Sequence, residues 1–189
     1  MQSKTILTFY GGVNEIGGNK VLLKDKDTKI FLDFGMPFAL RGQFYSAPFL
    51  APKSEKSLLE FDILPRLSGI YESENSEPEI DAVFISHSHM DHAAYTTFLK
   101  KSIPVYCGET TKILLEALSK ISVRNLEFNV KDIQFKPFRT GDKSQIGSVE
   151  VSLFTLIIPC RAPTGSSSTR HLAHSHTLET FGYTALNPR

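Results

Sequence analysis

Three histidines and an aspartate fall within six residues, His87-Ser88-His89-Met90-Asp91-His92. Crowded imidazoles need something to bind them together. A divalent cation supplies that reason, because zinc prefers neutral imidazole nitrogen and carboxylate oxygen and, with one position left open, lowers the pKa of a bound water to about 7. His87 and His89, two apart on extended backbone, can point the same way toward one ion. Asp91 and His92, at the start of a helical turn, can serve a second, with Asp91 also placed as the catalytic carboxylate that accepts a proton from the attacking water. The competing reading is a solvated histidine-rich loop in which Asp91 merely caps a helix; a cap explains Asp91 but none of the three histidines.

The elements around the cluster must hold it at a strand tip. Asp81-Ala82-Val83-Phe84-Ile85 is a short apolar run of strand character that ends at Ser86, and Ala93 to Lys100 continues with helical character. Upstream, Thr5 to Tyr10 and Lys20 to Lys24 read as a hairpin joined by the glycine-rich run Gly11 to Asn19. This run matches neither phosphate-binding fingerprint, so its glycines are expected to serve turn geometry. Lys29 to Phe34 is a third strand with Asp33 near its end. Pro37 to Lys56 reads as a long surface loop, Ser57 to Leu67 as a short helix, and Glu72 to Glu79 as a solvated loop. Ile103 to Cys107 is a strand, and Thr110 to Ile121 is a helix with Ile113, Leu114, Ala117 and Leu118 at helical spacing. Ile133 to Arg139 and Val149 to Leu156 are later strands around a turn at Thr140 to Gly147. This order predicts a mixed α/β core sheet covered by helices.

His87-Ser88-His89-Met90-Asp91-His92 resembles the His-x-His-x-Asp-His signature of metallo-β-lactamase-fold hydrolases, and Asp33 before Gly35 resembles that family's earlier strand-end aspartate. The opening Leu7 to Asn19 is similar to the nuclease branch, the β-CASP proteins and ribonuclease J. The resemblance spans about residues 4 to 155. It implies an α/β (α+β sandwich), metallo-β-lactamase-like αββα fold, of which the first part is present. It also implies two divalent metal ions, zinc by family expectation, with His87 and His89 on the first and Asp91 and His92 on the second. Asp33 would orient histidine ring nitrogens from behind. The implied reaction is hydrolysis of an ester by a metal-activated water, with RNA phosphodiesters as substrate. A small ester or thioester is the alternative substrate, and an inactive remnant or binding protein the alternative of another class.

Two further family motifs, Asp-His-Ser followed by Pro-Gly and a Tyr-Thr-Gly-Asp-Phe-Arg stretch, are missing from the chain. They supply a third histidine and a bridging aspartate. Joining the third base of each codon to the first two of the next recovers both. From Leu156 through Pro163 the shifted junctions permit Asp, His, Ser, Val, Pro, Gly and Ala, and from His176 through Gly182 they permit Tyr, Thr, Gly, Asp, Phe and Arg. The expectation is therefore a family domain over 1–155 and a tail over 156–189 that departs from the family and is read out of frame. The intact part would lack ligands, and the second half of the sandwich would be left unformed. His171, His174 and His176 read as a solvated tail rather than substitute ligands.

Bulk properties constrain less. Lys plus Arg number 21 against 20 for Asp plus Glu, so a formal charge of +1 gives no electrostatic footprint of a strong nucleic-acid binder. The two cysteines, Cys107 and Cys160, lack metal or disulfide-framework spacing. Without a membrane-length apolar run or a signal-peptide core, a cytoplasmic protein is expected.

Overall fold

The structure, a computed structural model, describes residues 4–46, 50–122, 125–158 and 178–184, with 155–158 and 178–184 as backbone only. Strands β1 (Ile6–Phe9), β2 (Val21–Asp25) and β3 (Thr28–Leu32) form an antiparallel meander. Strands β4 (Ala82–Phe84), β5 (Val105–Gly108) and β6 (Phe135–Phe138) extend it in parallel, giving six strands in chain order. A second, antiparallel sheet holds β7 (Lys143–Ile146), β8 (Val149–Ile158) and β9 (Leu178–Thr184).

Strand alternation divides the apolar residues between two cores. Phe31, Val83 and Val105 face one way and pack with Leu58, Tyr95, Phe98 and Leu115 of the helical layer. Leu23, Ile30, Ala82 and Phe84 face the other way and pack with Val149, Val151 and Leu153 of the second sheet. Each fully buried side chain of this size contributes about 1.5–3 kcal/mol. The expected sandwich of a mixed sheet and flanking helices is thus formed.

The helical layer contains α1 (Phe38–Phe44), α2 (Glu55–Glu60), α3 (Met90–Ala93), a 3₁₀ turn over Ala94–Phe98, and α4 (Glu109–Ile121). Four differences from the sequence expectation have local causes. The stretch from Pro37 to Lys56 is not all loop: α1 lies in it, too short to persist alone and held by the Arg41 side chain, which donates from Nε and Nη2 to Glu127 at 2.7 and 2.6 Å. The helix expected over Ser57 to Leu67 runs from 55 to 60 instead. Ser54 caps its start, and past its end Asp62 takes a positive φ of 55°. In α4 it is Thr111 and Leu115 that face the core, while Ile113 and Leu114 face solvent. The expected turn at 140–147 includes a short strand, β7.

The second sheet is also more complete than expected, because β9 pairs with β8 from Ser152↔Thr184 to Ile158↔Leu178. Ladder hydrogen bonds use only main-chain groups, so a stretch such as Leu178 to Thr184, with β-forming Phe181, Tyr183 and Thr184, can add an edge strand whatever its side chains were selected for. Strand β8 runs continuously across position 155. Cys160, His171, His174 and His176 lie outside the described residues. Among the described residues, no helix is long and apolar enough to cross a membrane.

Candidate functional site

Parallel pairing of β3 with β4 puts the carboxyl ends of both strands side by side, the usual location of ligand sites in such sheets. Asp33 follows β3 with φ 60°, and its backbone N–H donates to Phe84 O at 2.8 Å. The chain then runs beside the histidine turn. Phe34 N donates to His92 O at 2.8 Å, Met36 N to Met90 O at 2.9 Å, and Tyr95 N to Phe34 O at 3.0 Å. A Cβ on Gly35 would lie 1.7 Å from the Asp91 carbonyl oxygen, so only glycine permits this approach. The turn from His87 to His92 is therefore clamped by backbone on one side.

The glycine-rich run clamps it on the other side. Asn19 N donates to Asp91 O at 3.1 Å, and the Asn19 amide Nδ2 lies 3.2 Å from both Asp91 O and His92 Nε2. Gly12, at φ 79°, leaves room for Asn19 Oδ1, which a Cβ there would meet at 2.4 Å. The glycines do serve turn geometry, as expected, and they also let the loop close over Asp91. Asn19 went unnoticed in the sequence. Its one signal is its place directly after Gly17-Gly18, where missing side chains mark a close approach.

Asp33 lies directly behind the histidine turn. Its Oδ1 accepts from Ser86 N at 2.7 Å, and its Oδ2 lies 2.7 Å from His92 Nδ1 and 2.9 Å from Ser86 Oγ. Ser86 Oγ also lies 3.0 Å from His87 Nδ1. An amide N–H can only donate, so Asn19 marks His92 Nε2 as an acceptor and Nδ1 as the protonated nitrogen facing Asp33. His92 Nε2 lies 3.4 Å from Asp91 Oδ2.

The three imidazoles are gathered, with ring centroids 4.5 Å apart for His87 and His89 and 4.1 Å apart for His87 and His92. Burial, followed by the like charges of His92 and His89, pushes the His87 pKa from 6.5 down to about 4, so its ring is neutral at neutral pH. Burial would also lower His92, but its hydrogen bond to Asp33 and the charges of Asp33 and Asp91 outweigh this and raise it. Among the described residues, no group of three or more His, Cys, Asp or Glu side chains is arranged to hold a single metal ion.

A model of the β-lactamase superfamily domain matches residues 64–185, more than half of the chain. The chain belongs to the β-lactamase superfamily. The match includes the whole histidine turn and continues past position 155 to 185. Among curated superfamily proteins, the transcription termination factor FttA of Methanococcus maripaludis is 28% identical over 137 residues, covering 67% of this chain and 18% of that protein. Ribonuclease J of Helicobacter pylori is 30% identical over 102 residues, covering 53% of this chain and 12% of that protein. The chain thus spans less than a fifth of the length of these relatives. A solved protein of unknown function from Enterococcus faecalis V583 superimposes with a TM-score of 0.60 at 25% identity, covering 79% of this chain and 37% of that one.

Proposed function

We propose that this chain carries the first part of a metal-dependent phosphodiesterase acting on RNA, with His87, His89, Asp91 and His92 as its metal-binding side chains and without the remaining ligands. The reading rests on one observation above all. His92 Nδ1 is held by Asp33, and Nε2 faces Asp91 Oδ2 at 3.4 Å, about the separation of two ligands placed 2.0–2.1 Å from one tetrahedral ion. The donor chemistry fits a cation there in part: two side chains for one ion, and a neutral His87 beside His89 for another. When bound, two divalent cations supply an activated water and stabilise the charge that develops on a phosphodiester. The protein side chains orient. Asp33 fixes the His92 ring, the Asp91 carboxylate stands ready to take a proton, and the backbone clamps on either side keep the turn from spreading. RNA as substrate is supported by the likeness to ribonuclease J, whose name states its activity.

A catalytic zinc usually has three protein ligands, and the intact part offers two to each ion. We attribute the shortfall to an out-of-frame tail from about Thr155. The nucleotide sequence around that codon tests this directly: a neighbouring frame without codons for Asp-His-Ser removes the explanation. The function is tested with a frame-restored chain, assayed on single-stranded RNA and on a generic ester. RNA cleavage that is lost with a chelator supports the reading, whereas ester cleavage without RNA cleavage replaces it with the small-ester alternative, which the near-neutral charge favours. The incomplete donor set favours an inactive remnant for the chain as it stands.

A further inference from the structure

The hydrogen-bond inventory around Asp33 leaves one hydroxyl proton to place. A carboxylate only accepts, and a serine hydroxyl donates once. Ser86 Oγ lies 2.9 Å from Asp33 Oδ2, 3.0 Å from His87 Nδ1 and 3.2 Å from His92 Nδ1. If the proton pointed at His87, two oxygens would face each other at 2.9 Å with nothing between them, in a place where Ser86 and Asp33 are both buried. A hydrogen bond to an ionised acceptor is also the stronger choice. The proton therefore goes to Asp33, and Ser86 Oγ is left to accept. The only donor available from His87 is an N–H at Nδ1.

We infer that Ser86 is a positioning residue that relays the orienting effect of Asp33 to His87, so that one carboxylate fixes the tautomers of the histidines assigned to both metal positions and leaves Nε2 of each ring as the ligating atom. The functional meaning of this relay rests on the metal-binding reading above; the tautomer itself does not. His92 serves as an internal control. Its tautomer is fixed twice without Ser86, by Asp33 at Nδ1 and by Asn19 at Nε2.

The test is a long-range 1H–15N correlation spectrum of the histidine rings of the full chain, metal-free in the presence of a chelator, at about pH 8.5, where imidazoles are ordinarily neutral. The wild-type chain should show His87 and His92 both protonated at Nδ1. In Ser86→Ala the His87 nitrogen resonances should move toward each other as the proton redistributes, while His92 stays unchanged; Ser86→Thr should restore the His87 pattern. A wild-type His87 protonated at Nε2 overturns the relay, as does a Ser86→Ala spectrum with His87 unmoved. If Ser86→Ala loses its amide dispersion, the wild-type spectrum alone decides. Because no metal is present, failure here leaves the proposed function standing, and failure to bind metal leaves the relay standing.

Discussion

Two carboxylates, Asp33 and Glu127, are each buried and each held by three hydrogen bonds, yet they do different work. Glu127 has no exposed surface and accepts from Arg41 Nε and Nη2 and from the Tyr95 hydroxyl at 3.1 Å. Its donors pass nothing on: a guanidinium has no lone pair to offer, and Tyr95 is buried with its pKa raised by burial and then by Glu127. Asp33 accepts from one backbone N–H, from a hydroxyl and from an imidazole. The imidazole has a second nitrogen on its far edge. A closed arrangement ties α1 to the helical layer and stops there. An open one passes orientation outward to His92, one of the side chains proposed as metal ligands.

The largest expected effect comes from breaking the closed pair. Arg41→Met leaves Glu127 buried and nearly unpartnered, which should cost about 3–5 kcal/mol in a denaturant titration. Adding Glu127→Leu to it should recover most of that loss, because the unpaired charge is then gone. Next is Gly35→Ala, where the new Cβ meets the Asp91 carbonyl and the backbone must give way; about 1–3 kcal/mol is expected, with chemical-shift changes concentrated at the histidine turn. On the open side, Asp33→Asn removes the group that outweighs burial at His92. The His92 pKa, followed by NMR, should fall rather than hold, and stability should drop by about 1–3 kcal/mol through the lost acceptor.

The pH dependence of stability reads the open arrangement through its two histidines. His87 binds a proton in the unfolded chain below its ordinary 6.5 but in the folded chain only below about 4, so the unfolded state holds more protons in that window and stability falls as the pH drops through it. His87→Gln should flatten this slope. His92, with its raised pKa, acts in the opposite sense, since its contribution is complete below the unfolded value and lost as pH rises through the folded one. The smallest effect is expected at Lys20. Its ammonium is buried near the rings of Phe34 and Tyr95 with one long hydrogen bond, to Gly18 O at 3.4 Å, and burial, opposed by the charge of Glu15, lowers its pKa to about 7. Lys20→Met should raise stability by about 1 kcal/mol in the same titration.

How much of this was legible in the sequence follows the same division. The histidine turn and Asp33 announced themselves by residue type, because imidazoles and a strand-end carboxylate have few other reasons to gather. The strands of the first sheet were readable from short apolar, β-branched and aromatic runs that matched them within a few residues, though not their number in one sheet. Asn19 and Ser86 were not legible, since an amide after two glycines and a serine before a histidine gain meaning only once the strands bring them to Asp33. Arg41 and Glu127, far apart in the chain, gave no local sign of pairing, and α1 was missed because that pairing is what holds it. In α4 helical spacing revealed the element but not its roll: the exposed Ile113 and Leu114 are as apolar as the buried Leu115.

The proposal that the histidine turn is a metal site short of ligands is tested most directly by the metal content, after purification and dialysis, of this chain beside a chain restored to the neighbouring frame from Thr155. Two divalent ions per molecule in the restored chain, lost on replacing His87 and His92, against a substoichiometric amount in the unrestored chain, is the predicted result. Equal metal in both chains, or none in the restored one, would contradict it.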